Sequence, residues 1–154
     1  MPQYSQSFNL AAVLPEIALL VATCIVLLAD AIANRRSGHN SFPVERLALL
    51  ALAAPLVVLL GCGSGGEIRY AFGQSFVSDL LSDVLKSCAI VATGVTLIYA
   101  RRYVRERDIH RGELYSLALF SLLGQMVMIS GSNLLVLYLG LELMSLPLYA
   151  LSAI

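Results

Sequence analysis

Residues Leu134–Ile154 form 21 consecutive positions with a single ionisable side chain, Glu142, and four other stretches of the chain are nearly as apolar. About 20 apolar residues are what an α-helix needs to cross the hydrocarbon core of a bilayer. Hydrocarbon supplies no partner for backbone N–H and C=O groups, so such runs must satisfy them internally, as helices do. Spans fall at about 10–33, 47–62, 80–100, 114–130 and 134–154. The third must take in Asp83 and Lys86, because its uncharged part, 87–100, counts only 14 residues. Hydrophobic residues make up 58% of the 154 and charged ones 13%, against about 25% charged in soluble domains. The expected fold is an all-α polytopic membrane protein with five transmembrane helices and no soluble domain.

Several chemistries are excluded. Ten basic residues balance ten acidic ones, so no bulk charge draws nucleic acid. Cys24 and Cys88 sit in apolar runs and Cys62 in a glycine-rich turn, with no CxxC spacing, while His39 and His110 lie in polar loops. The expectation is that no metal or cofactor is bound by this chain. Gly61, Gly63, Gly65 and Gly66 precede no Lys-Ser/Thr, so they form no phosphate loop. Residues 1–9 lack the Lys or Arg of a cleavable signal, so the first span is expected to stay in the protein. Nothing polar follows the fifth span to anchor its far end, which suggests the N-terminal piece of a longer polytopic protein.

Orientation follows from charge. Eight of the ten basic residues fall in two loops: Arg35, Arg36 and Arg46, then Arg101, Arg102, Arg105, Arg107 and Arg111. By the positive-inside rule, loops 34–46 and 101–113 are cytoplasmic and the N-terminus is periplasmic.

Glu142 is the most informative residue. It lies eight positions into the fifth span, about 12 Å deep at 1.5 Å per residue. A carboxyl at that depth is costly and marks a functional site by default. At 100° per residue Tyr138, Ser145, Tyr149 and Ser152 fall on its face, a stripe expected to meet protein or water. Pro147 has no N–H for the Leu143 carbonyl beside Glu142, leaving an acceptor for water or a hydroxyl. Low dielectric favours the neutral carboxyl and a nearby cation the charged one, a balance suited to taking and releasing protons.

Asp79, Asp83 and Lys86, at i, i+4 and i+7, form one helical ridge. They read equally as an ion path or, for Asp83 and Lys86, as a self-neutralising pair. Glu16 after Pro15 suits a helix N-terminus, where the dipole favours an anion. Asp30, at the unfavourable end of its helix, calls for a partner such as Arg35 or Arg36.

The stretches GELYSLALFSLLGQMVMIS (112–130) and NLLVLYLGLELMSLPLYAL (133–151) resemble the subunit N family of bacterial proton-translocating NADH–quinone oxidoreductase, respiratory complex I. LPEIALL (14–20) and FVSDLLSDVLK (76–86) look like that family's first and third helices. The resemblance implies the N-terminal part of a roughly fourteen-helix antiporter-like subunit in a bacterial inner membrane. It implies that Glu142 is the fifth-helix glutamate of the proton path, paired with a lysine on a later helix. It further implies other membrane-arm subunits as partners, with NADH, FMN, iron–sulfur clusters and quinone acting in other subunits. Two departures stand out: Gln125 replaces a usually apolar residue, and Asp83 matches no family motif.

Two other readings fit: the membrane subunit of a multisubunit cation/proton antiporter or membrane-bound hydrogenase, and a non-catalytic membrane assembly protein. The charge asymmetry makes a topology prediction. A reporter active only in the periplasm is expected to work when fused after Gly65 and to be silent after Arg105; the reverse pattern overturns the orientation.

Overall fold

The computed structural model describes residues 10–36, 44–62, 65–107 and 111–153. Five helices carry the chain: α1 (Leu10–Arg36), α2 (Val44–Cys62), α3 (Leu80–Arg107), α4 (Arg111–Ser130) and α5 (Leu134–Ala153). All five are long and apolar enough to span a membrane, in agreement with the expected all-α polytopic fold. Between α2 and α3 lies a feature the sequence reading left as loop, a two-stranded antiparallel hairpin of β1 (Arg69–Ala71) and β2 (Phe76–Ser78). Its turn places Phe72, Gly73 and Gln74 at positive φ.

Side-chain contacts fix two ends of the bundle. At one end Glu45, at the start of α2, pairs with Arg101 near the end of α3. There too the Asp30 carboxyl of α1 packs against Gly112 in the first turn of α4. At the other end the hairpin meets the α4–α5 turn. Phe76 bridges Gly131, and Ser132 donates its backbone N–H to the Ser75 carbonyl at 3.1 Å and its hydroxyl to the Gln74 carbonyl. The two ends are called the basic end and the hairpin end below.

The arginines placed in loops by the sequence are mostly on helices. Arg35 and Arg36 end α1, Arg46 lies in the first turn of α2, and Arg101, Arg102, Arg105 and Arg107 ride the last turns of α3. A helix C-terminus favours cations, so α1 and α3 continue as charged helix beyond their apolar spans. His39 and His110 lie outside the described residues.

Packing centres on α4. Half of its apolar window is buried, against 11% for α5. Leu119, Leu122, Leu123 and Met126 of α4 join Leu19 and Val26 of α1, Leu52 and Leu59 of α2, and Ile90 and Leu97 of α3 in one core. The outside is equally apolar, with Val57, Leu60, Tyr99, Leu134 and Tyr149 exposed. With no hydrophobic drive between helices in lipid, close contact of small residues holds them together. The α4–α5 crossing shows it. A Cβ on Gly124 would lie 2.5 Å from the Met144 nitrogen and 2.9 Å from the Gly140 carbonyl; one on Gly140 would lie 2.9 Å from the Met128 nitrogen.

Gly140→Val is therefore expected to cost about 1–3 kcal/mol through overpacking against backbone that cannot yield, read as a lowered unfolding temperature in detergent. Gly61→Val, where a Cβ meets nothing within 4 Å, serves as the control and should leave that temperature nearly unchanged.

Candidate functional site

A buried ion pair joins two helices of the bundle. Lys86, the only lysine of the chain, is fully buried, and its Nζ lies 2.6 Å from Oε1 of Glu16, whose side chain is 5% exposed. Each residue is six positions into its helix from the hairpin end, about 9 Å along the axis at 1.5 Å per residue. The Ser130 hydroxyl, at the end of α4, donates to the same Oε1 at 3.4 Å. Above the pair, the ring of Phe76 lies 5.5 Å from Nζ, a cation–π distance. Phe76 also packs with Ala12, Val13 and Ala71 in a small apolar cluster that closes this end. Glu16 Oε2 and Lys86 Nζ are buried without an aligned hydrogen-bond partner. The pair is held by charge and proximity, with hydrogen-bonding capacity to spare.

Two sequence expectations are corrected here. Glu16 does not cap a helix, because α1 begins at Leu10 and runs through Pro15; the carboxyl is drawn inward by the ammonium on α3. The ion pair of Lys86 is with Glu16 across the bundle, rather than with Asp83 along its own helix. The Asp83 carboxyl instead accepts from the Ser78 hydroxyl at 3.4 Å. Asp79 caps α3: its Oδ1 accepts from the Ser82 N–H at 2.8 Å while its own N–H donates to Ser82 Oγ at 2.9 Å. That reciprocal arrangement is a capping box with serine in the third helical position. The ridge read from the sequence thus descends from cap, through Asp83, to buried pair. Asp30, for which Arg35 or Arg36 was the expected partner, lies against the start of α4, where the dipole favours an anion.

Glu142 sits apart from this cluster. Gly140 and Pro147 are the buried residues of α5. At 100° per residue Glu142 lies about 160° from Gly140 and about 140° from Pro147. Its face is therefore turned away from α4. Tyr138 is 62% and Tyr149 71% exposed there, and Tyr138 stands one turn before Glu142 on the same face. Ser145 and Ser152 donate back to the Leu141 and Tyr149 carbonyls at 2.5 and 2.8 Å. Pro147 is accommodated inside an unbroken helix, and Gln125 is half-buried on α4. α5 packs chiefly on α4, and Glu142 is half-buried on the face away from Gly140 and Pro147.

Comparison with known proteins shows what the chain is similar to. The chain is 45% identical over 151 residues to NADH-quinone oxidoreductase subunit N of Herminiimonas arsenicoxydans, covering 96% of this chain and 30% of the relative. It is 47% identical over 140 residues to the subunit N of Nitrosomonas europaea and 38% identical over 141 residues to that of Thioalkalivibrio sulfidiphilus. Along nearly its whole length the chain is similar to these subunit N proteins. It spans about 30% of the length of the relatives it matches. No protein-family model matches it. The relatives carry the name of subunit N, which favours that reading over an antiporter, a hydrogenase or an assembly protein.

Sequence reasoning missed the Glu16–Lys86 pair. The signal that points to it is numerical: two ionisable residues each six positions from the hairpin-end start of an apolar helix, hence at one depth. Lys86→Met alone is expected to cost about 3–5 kcal/mol by leaving Glu16 buried and uncompensated. The double variant Glu16→Gln/Lys86→Met should recover most of that loss in a thermal unfolding assay of the full-length protein. Asp83→Asn/Lys86→Met should not recover it.

Proposed function

We propose that this chain forms part of a membrane-arm subunit of NADH–quinone oxidoreductase and that Glu142 is a proton-carrying group of that subunit. The reading rests on one observation above the others. A carboxyl about 12 Å into an apolar helix points away from the four-helix core, in a segment similar to subunit N. An ionisable side chain at such a depth is kept for transport or pairing. Tyr138 can pass or hold a proton beside it, and Pro147, lacking an N–H, leaves the Leu143 carbonyl free to hold water next to the carboxyl.

In this reading the enzyme's redox chemistry lies elsewhere. NADH, FMN, iron–sulfur clusters and quinone act in other subunits, and this chain contributes a proton step coupled to them. Cys24 and Cys88, exposed on α1 and α3, face outward as packing or lipid-facing residues. The subunit belongs to the bacterial inner membrane, with the basic end cytoplasmic and the hairpin end periplasmic. Its partners are the other membrane-arm subunits.

Glu142→Gln keeps shape and most hydrogen bonding but cannot titrate. In the full-length subunit, assembled in the complex, quinone reduction and vesicle acidification are expected to fall together, whereas Glu142→Asp retains more of both. Oxidation of NADH by an artificial acceptor should be unchanged, which separates a transport defect from failed assembly. Wild-type rates in Glu142→Gln membranes would make Glu142 a structural carboxyl.

A further inference from the structure

We infer that the Glu16–Lys86 pair is a second proton-exchange site, separate from Glu142 and served from the hairpin end by Asp83. The inference rests on the proposed transport function only for its biological use; the chemistry of the site stands on its own geometry.

Three observations carry it. First, a buried ion pair that serves only as a tether must have its remaining lone pairs and protons satisfied to offset desolvation. Here Glu16 Oε2 and Lys86 Nζ both lack an aligned partner among the described groups, at a contact distance of 2.6 Å. Second, polar groups lead to the pair from one direction. Asp79 and Asp83 are half-buried above Lys86 on the same ridge, and Ser78 lies at 3.4 Å from Asp83. Third, the opposite approach is closed by Leu19, Thr23 and Val26 on α1 and Ile90 on α3, all buried. Thr23 spends its hydroxyl on the Leu19 carbonyl at 2.7 Å.

The proton step balances without any co-reactant. The Lys86 ammonium gives one N–H proton to Glu16 Oε1, turning ammonium and carboxylate into amine and carboxylic acid. Net charge is zero before and after, so the transfer leaves no isolated ion in low dielectric. The amine then recovers a proton from water at the hairpin end by way of Asp83. The acid loses its proton to a water held between Glu16 Oε2 and the Ser130 hydroxyl.

The groups facing the pair are Asp83 on α3, Ser78 and the Phe76 ring on β2, Ser130 on α4 and Thr23 on α1, and the charged Arg69 of β1 lies opposite Ser78 in the hairpin. On α2 the ionisable residues Glu45 and Arg46 lie at the basic end. Phe76, pinned to Gly131 by backbone pairing, sits over Nζ and makes Asp83 the route of entry.

Infrared difference spectra of the full-length subunit in membranes, taken on stepping pH between mildly acidic and mildly alkaline, test the site without relying on enzyme activity. A protonated-carboxyl band is expected in the wild type, lost in Glu16→Gln and in Lys86→Arg. Arginine keeps the ion pair but cannot give up its proton, so that variant covers the case in which a neutral substitution fails to accumulate. Asp83→Asn should keep the band but slow its appearance after the pH step. A spectrum with no band that depends on Glu16, or one unchanged in Lys86→Arg, overturns the proposal and leaves a static tether. Neither result depends on Glu142. Failure of the respiratory reading is seen separately, as wild-type coupling in Glu142→Gln membranes.

Discussion

An ammonium and a carboxylate cannot be carried singly into an apolar bundle at tolerable cost, and together they can. That constraint sets where α1, α3 and α4 meet. Glu16 and Lys86 must arrive at one depth, so the hairpin-end starts of α1 and α3 are held level. Ser130 must end α4 beside them, and the aromatic ring of β2 must roof the site. The apolar residues around this point are interchangeable in chemistry with lipid tails; the charged pair is not. It supplies the directional information that greasy surfaces lack.

The second principle of assembly is the opposite of charge. Gly124 and Gly140 let α4 and α5 touch backbone to backbone, which fixes α5 without help from any polar group. The two devices divide the labour. Electrostatics organises the first three helices around α4, and small residues attach the helix that carries Glu142. The carboxyl of α5 lies on the face away from that glycine contact.

Much of this was legible in the residues. Apolar run length gave the five helices, because a bilayer sets a hard length requirement. The stripe through Tyr138, Glu142, Ser145, Tyr149 and Ser152 was visible because helical periodicity alone places it. What periodicity cannot supply is which helix lies opposite which. Lys86 was therefore assigned to Asp83, its nearest neighbour along the chain, when the partner was Glu16, seventy residues away in sequence. The hairpin escaped notice for a similar reason. Its strands are three residues each and are held by a long-range partner, the α4–α5 turn. The Pro-Glu dipeptide misled because proline is common at helix starts and yet is tolerated inside helices that lie in lipid.

The hairpin has a mechanical meaning beyond its role as a roof. It is covalently continuous with the first turn of α3 and stitched through Ser75, Gln74 and Phe76 to the turn that launches α5. Lys86 and Glu142 belong to helices that hardly touch, yet the chain between their entrances is a short strap fastened at both sides. The roots of α3 and α5 are therefore tied to one another through the hairpin, by backbone pairing at Ser75 and Phe76 and by the Ser132 hydroxyl.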